Sequence, residues 1–125
     1  MNDNAKFSAE YIKSGKRLKV ALNVFFWKED SVYFAYSPSL DVTGYGVSED
    51  EAKTSFEITL NEFIKYTANK DTLYEELEHL GWSVNKKKHK MEVPSIDQLL
   101  NGNESFREVI NSNKYRVEQK ELALY

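Results

Sequence analysis

The chain has 125 residues, of which 41% are hydrophobic and 14% aromatic, enough to fill the core of one domain and to exclude bulk disorder. It contains no cysteine, which excludes disulfides, thiolate metal sites and cysteine nucleophiles. Its net charge of −3 is too small to indicate a polyanionic partner for the whole molecule. No apolar run reaches membrane length and no signal-peptide core precedes the first strand, so we expect a cytoplasmic protein without membrane association.

The N-terminal part of the chain predicts a polar segment followed by an antiparallel hairpin. Residues 1–17 are mostly polar and are expected to form a flexible arm. Residues 18–27 are predicted as a strand with apolar side chains on both faces, and residues 32–36 as its return strand. A sheet with one solvent-exposed face carries polar residues on it, whereas here that face of the strand carries Phe25 and Trp27. Either the C-terminal third of the chain or a second subunit must therefore cover it.

A tight corner follows the hairpin. Pro38 ends the return strand, because proline has no N–H to give to a ladder. Residues 41–45 are predicted as a short third strand. Gly44 and Gly46, on either side of Tyr45, indicate a bulge or a close approach of backbone.

Two helices come next. Ser48 and Glu51 predict a capping box, in which the hydroxyl accepts from the Glu51 N–H and the carboxylate accepts from the Ser48 N–H. The main helix covers residues 49–67 and has one core-facing apolar stripe. A second capping box at Thr72 predicts a second helix, which Gly81 ends.

This junction resembles the N-terminal domain of the HicB-type antitoxins. Their signature is Tyr-x-Ala-x-x-Pro-x-Leu, a short insert, Gly, and then Thr or Ser-x-Glu-Glu-Ala opening a helix. The residues that fill it here are Tyr33, Ala35, Pro38, Leu40, Gly46, Ser48, Glu51 and Ala52, with Gly44 as a further structural position. The match covers residues 18–82, and Asp41-Val42-Thr43 stands where the family has Pro-Gly-Cys.

The resemblance implies a fold and a function. The fold is α+β and partial RNase H-like: an antiparallel β-meander with a long helix packed on one face. The function is a non-enzymatic antitoxin that binds and neutralises a small, basic HicA-like ribonuclease toxin with a double-stranded-RNA-binding-like fold.

Residues 83–125 form an extension of strand, two short helices and a terminal strand, expected to pack on the same domain or on a partner subunit. The short helices are predicted from Ser95 to Leu100 and over residues 103–110. A basic run within residues 83–93 could contact phosphates or form a solvated hairpin. Its lysines are Lys86, Lys87, Lys88 and Lys90. The terminal strand lacks the two following helices of a ribbon-helix-helix, so no DNA-binding module of its own is expected.

No catalytic residue, metal site or cofactor is predicted. A metal nuclease needs converging carboxylates, whereas Glu29 and Asp30 fall in a hairpin loop and Asp41 stands alone. His79 and His89 have no partners at ligand spacing.

The acidic middle of the chain is the functional feature that suits a basic toxin. Residues 48–81 hold nine acidic residues and three lysines, a net of −6, which favours encounter with a basic partner or simply makes a solubilising surface. Tyr45 either presents its ring to a partner or packs against the helix start. The predicted partner-binding acids are Glu49, Asp50, Glu57, Glu62, Glu75, Glu76 and Glu78.

Two other functions stay open at this point. One is an orphan oligomeric module that acts as a scaffold or small-ligand binder without a toxin, and the other is a degenerate RNase H-like nuclease. A homo-oligomer, dimer or higher, is expected because the first strand is apolar on both faces and no pairing strand is predicted for the terminal strand.

Overall fold

The computed structural model describes residues 8–12, 17–67, 70–85, 87 and 90–123. The strands are β1 (Ser8–Ile12), β2 (Arg17–Glu29), β3 (Val32–Ser37), β4 (Val42–Gly46), β5 (Ser83–Asn85), β6 (Lys90–Glu92) and β7 (Tyr115–Ala123). The helices are α1 (Glu49–Tyr66), α2 (Lys70–His79), α3 (Ile96–Gly102) and α4 (Glu104–Ser112). The fold is α+β, as the sequence predicted.

β2 is the centre of a seven-stranded antiparallel sheet. β7 pairs along one edge of β2, from Lys19↔Ala123 to Trp27↔Tyr115. Because Lys19 also pairs with β1 and Trp27 also pairs with β3, those two strands share the opposite edge of β2. β4 extends the sheet beyond β3, and β6 and then β5 extend it beyond β1.

The larger core lies between one sheet face and the helices α1 and α2. From β2 it takes Leu22, Val24 and Phe26, which alternate with the residues of the other face. Opposite them lie the core-facing apolar residues of α1, whose spacing the sequence predicted, and the apolar side of α2. The buried helix residues are Ala52, Phe56, Leu60, Leu73, Tyr74 and Leu77.

A second core covers the other face of β2. Phe25 and Trp27 pack with Tyr36 of β3 and with Leu99 and Phe106, from α3 and α4. Phe106 is fully buried, and its ring lies edge-on to Phe25 with centroids 5.0 Å apart. The C-terminal third of the chain therefore covers the second apolar face, and β7 completes the sheet within the same chain.

Those two findings remove the reasons given for a homo-oligomer. The doubly apolar strand β2 is covered on both faces by elements of its own chain. The terminal strand has β2 as its neighbour. Neither feature now calls for a second subunit.

Several element boundaries differ from those predicted. β2 continues to Glu29, because Asp30 adopts a positive φ of 56° and lets two residues close the hairpin. Ser8–Ile12, part of the expected flexible arm, forms β1 and pairs with β2 and β6. Residues 1–7 and 13–16 of that arm lie outside the described residues.

The helix ends are partly as predicted. Glu51 N–H donates to Ser48 Oγ over 3.1 Å, but the Glu51 carboxylate accepts from the Val47 N–H instead of the Ser48 N–H. α2 begins at Lys70, so Thr72 lies inside the helix and the predicted cap there is wrong. Gly81, with φ 96°, ends α2 as predicted: its N–H donates to Glu78 O, and the next N–H donates to Leu77 O, which is a Schellman motif.

Candidate functional site

The Pro38 corner between β3 and β4 is held from both cores. Tyr36 Oη donates to Asp41 Oδ1 over 2.8 Å and accepts from Asn103 Nδ2 over 2.9 Å. On the other side, Trp82 Nε1 donates to the Ser39 carbonyl over 2.8 Å. Burial and the bond to the Asp41 carboxylate raise the pKa of Tyr36 well above its ordinary value.

The two glycines of β4 bring its backbone against α1. A Cβ atom at Gly44 would lie 2.6 Å from Ala52 O, and one at Gly46 would lie 3.0 Å from Ala52 N. Since alternate residues of a strand face opposite sides, Tyr45 points away from α1. The Gly-x-Gly pattern in the sequence therefore marks a close contact between the strand and the helix.

The residues that carry the family resemblance build this junction and are mostly buried. Ala35 and Ala52 are fully buried, and Leu40 is nearly so. Pro38 is buried at the corner, and Tyr33 packs against the larger core. These residues fix the order strand, corner, strand and helix, and they do not form an exposed binding surface.

Glu49 and Glu57, two of the acids predicted to meet a partner, are engaged within the chain. Arg116 Nη2 lies 2.5 Å from Glu49 Oε1, and Lys120 Nζ lies 2.5 Å from Glu57 Oε2. These two cations belong to the face of β7 that lies towards α1. Both acids still show close to half of their side-chain surface, but their charge is offset by β7.

Between those pairs lies Glu118, so that α1 and β7 are joined by alternating charges. Glu118 contacts Arg116 and lies 3.5 Å from Lys53 Nζ. The hydrogen bond from Arg116 and the nearby Lys53 charge lower the pKa of Glu118, and the same hydrogen bond is the main reason that the pKa of Arg116 is raised. Sequence reasoning missed this contact, because the residues involved lie far apart along the chain.

The other predicted acids are available at the surface. Asp50 and Glu62 are exposed on α1, Glu75 and Glu78 are exposed on α2, and Glu76 is half-buried. Glu62 lies between two exposed apolar residues of the same helix, Ile58 and Tyr66, which are 60% and 71% exposed.

Ile58, Glu62 and Tyr66 are four residues apart and therefore share one face of α1. We call these three exposed residues the outer stripe. Ile58 and Tyr66 were not predicted from the sequence as surface residues. They are apolar residues that fall outside the core-facing spacing of the helix, and this could have identified them as exposed.

Tyr45 belongs to an aromatic row on the face opposite α1. It is 65% exposed, and its ring centroid lies 6.5 Å from that of Phe34. Phe34 in turn stacks on Trp27, at 5.1 Å. The expectation that Tyr45 packs against the helix start is wrong, because only its backbone N–H reaches α1, where it donates to Ser55 Oγ.

The lysine run falls in the hairpin between β5 and β6. Lys87 is exposed in that turn, and Lys90 is the first residue of β6. Lys86 and Lys88 lie outside the described residues, so the predicted phosphate contact has no geometry to weigh.

The acids considered for a metal nuclease have structural partners. Glu29 Oε1 accepts from Trp27 Nε1 over 3.1 Å, Asp30 forms the hairpin turn, and Asp41 accepts from Tyr36. Among the residues that the structure describes, no three His, Asp or Glu side chains converge on a metal-sized space. In the same part of the chain, no helix combines the length and apolarity that crossing a bilayer requires.

One cleft lies between α1, β2 and β7. Its volume is about 180 Å³, with Val24, Phe26 and Phe56 as its apolar residues. Lys53 and Arg116 lie over the Phe26 ring, 5.5 and 4.7 Å from its centroid. The charged residues around the cleft are those that join α1 to β7.

Comparisons with known proteins gave no match: no family model matches the chain, and no curated protein or solved structure matches it at a significant level.

Proposed function

We propose that this chain is a HicB-like antitoxin, a non-enzymatic protein that binds and neutralises a small, basic HicA-like ribonuclease toxin. The observation that carries the proposal is the β3–β4–α1 junction. The residues of the family signature meet there as neighbours, with Pro38 at the corner, glycines against the helix and Ser48 at its cap.

The surface chemistry supports a basic protein as the partner. α1 has Asp50 and Glu62 exposed, and α2 adds Glu75 and Glu78. The outer stripe combines such a carboxylate with two exposed apolar side chains, which supply contact area that salt does not screen. We assign the toxin contact to these residues and not to Glu49 and Glu57, whose charges β7 offsets.

The test begins with retention of a small basic protein from native extract by the tagged chain. The retained protein is then produced by itself and assayed for RNA cleavage. The proposal expects cleavage that falls to background at one equivalent of the antitoxin. Absence of any small basic protein among the retained species, or a retained protein without ribonuclease activity, would contradict it.

A charge-reversal variant tests the assigned surface. Glu62→Lys with Glu75→Lys should weaken toxin binding at least tenfold at moderate salt, since two attractive charges become repulsive. Glu104→Lys with Glu108→Lys, on the exposed side of α4, is the matched control and should bind as the parent does. Equal affinity of all three proteins would move the interface away from α1 and α2.

The small-ligand alternative draws little support from the cleft between α1 and β7. Its volume of about 180 Å³ is below the range of about 300–1,000 Å³ that is usual for small-molecule sites. If the tagged chain retained no partner from the extract, that result would favour the orphan scaffold. The nuclease alternative would be revived by RNA cleavage by the purified chain in the presence of divalent metal.

A further inference from the structure

β7 differs from β2 and β3 in what holds it in place. β2 and β3 both supply buried side chains to the two cores. By contrast, none of the described β7 side chains, at positions 115–121, is buried, and none belongs to either core. Tyr115 and Val117 keep 45% and 42% of their surface exposed, and the Tyr115 ring contacts Phe25 only at the first residue of the strand, with centroids 5.6 Å apart. Burial of apolar surface therefore contributes little to holding β7.

The space between β7 and α1 is the cleft of about 180 Å³, which side chains do not fill. Three ion pairs span it, and they join Arg116 to Glu49, Lys120 to Glu57 and Lys53 to Glu118. Each of these six side chains keeps between 32% and 47% of its surface exposed. The backbone ladder with β2 and a set of solvent-exposed charges are therefore the main contacts of β7.

Both cores would stay closed if β7 left the sheet. β2 would keep β1 and β3 at its other edge, and helices would still cover its two faces. A segment with few buried apolar contacts and exposed backbone hydrogen bonds opens at a lower free energy than the whole molecule. β7 has both of these properties.

We propose that β7 is a strap that opens from β2 and α1 while both cores stay folded, and that its ion pairs with α1 control how often it opens. The opening is a fluctuation of the folded chain, and unfolding in urea still removes every element together. An open strap bares the edge of β2 and frees the carboxylates of Glu49 and Glu57. The inference stands apart from the antitoxin proposal, because the toxin contact assigned to the outer stripe requires neither β7 nor its opening.

Ionic strength is the variable to which the strap should respond. The Debye length falls from about 10 Å at 0.1 M salt to about 3 Å at 1 M, and exposed ion pairs weaken accordingly. The backbone ladders of β7 and β3 carry no net charge, so salt does not screen them in this way. Added salt should therefore raise the open fraction of β7 and leave β3 as it is.

Hydrogen exchange of the backbone amides measures the opening directly. At about 0.1 M salt, the β7 amides that donate to β2 should exchange roughly tenfold faster than the amides of β3, which lies between two strands. At about 1 M salt, exchange in β7 should rise about threefold relative to β3. Amides of β7 that exchange as slowly as those of β3 at both salt concentrations would overturn the proposal.

Removal of the strap's two cations that pair with α1 provides the second arm. Arg116→Gln with Lys120→Gln should speed β7 exchange about fivefold at about 0.1 M salt and remove most of its salt dependence. Lys65→Gln with Lys87→Gln is the matched control, since it removes the same charge at two exposed positions outside β7 and should exchange as the parent does. Circular dichroism and unchanged exchange in β3 verify that both variants fold. Equal β7 exchange in the parent and both variants would mean that the ion pairs do not hold the strap, and the proposal would be wrong.

Discussion

Gly44 shows how a missing side chain can determine a fold. Its Cα lies so close to α1 that a Cβ would approach the Ala52 carbonyl oxygen to 2.6 Å and would also contact the Phe56 backbone. Backbone atoms cannot rotate away as a flexible side chain can. The helix or the strand would have to shift as a whole.

Gly44→Ala should therefore destabilise the protein by about 1–3 kcal/mol, the usual cost of overpacking a core. The measurement is the free energy of unfolding in urea. Gly102→Ala is the control, because no atom lies within 4 Å of a Cβ there, and its stability should change little. Equal stability of the two variants would mean that α1 does not lie as close to β4 as described.

Features that depend on neighbouring residues in the chain could be predicted from the sequence, and contacts between distant residues could not. The hairpin, the corner and the α1 core stripe follow from alternation, from Pro38 and from helical spacing, which are all local in the chain. Glu57 looked like part of a free acidic surface because its partner, Lys120, comes from the last strand. No local pattern specifies a contact between residues that only the final pairing of β7 with β2 brings together.

The cover of the second sheet face is the clearest example of a contact between distant parts of the chain. Sequence reasoning recognised that Phe25 and Trp27 needed cover, yet it left open whether the cover came from the same chain. Capping signals at Ser95 and apolar spacing in α4 predicted helices but not where they dock. Docking depends on Phe106, which fills the space beside Phe25 and Tyr36.

Phe106→Ala should cost about 3–5 kcal/mol, because it removes a fully buried aromatic ring and leaves a cavity. Ile96→Ala, on the neighbouring helix, removes a side chain from a residue that is 40% exposed and should cost well under half as much. Urea unfolding followed by circular dichroism gives both values. A small cost for Phe106→Ala would indicate that α4 does not hold the second face.

Both cores of the molecule depend on one strand. Leu22, Val24 and Phe26 of β2 serve the larger core, and Phe25 and Trp27 serve the smaller one. Neither core can lose β2 and stay closed. The seven strands and four helices of the described chain should therefore unfold as a single cooperative unit.

The two tryptophans make this prediction measurable, since each reports on a different core. Trp27 lies in the smaller core, and Trp82 lies in the larger one, where its indole donates to Ser39 O. In Trp27→Phe, fluorescence follows only Trp82, and in Trp82→Phe it follows only Trp27. Within each variant, the fluorescence midpoint in urea should coincide with the midpoint from circular dichroism, and adding Phe106→Ala should lower both together. If Phe106→Ala lowered only the Trp27 signal, the α3–α4 layer would unfold separately, and the sharing of β2 would not couple the two cores.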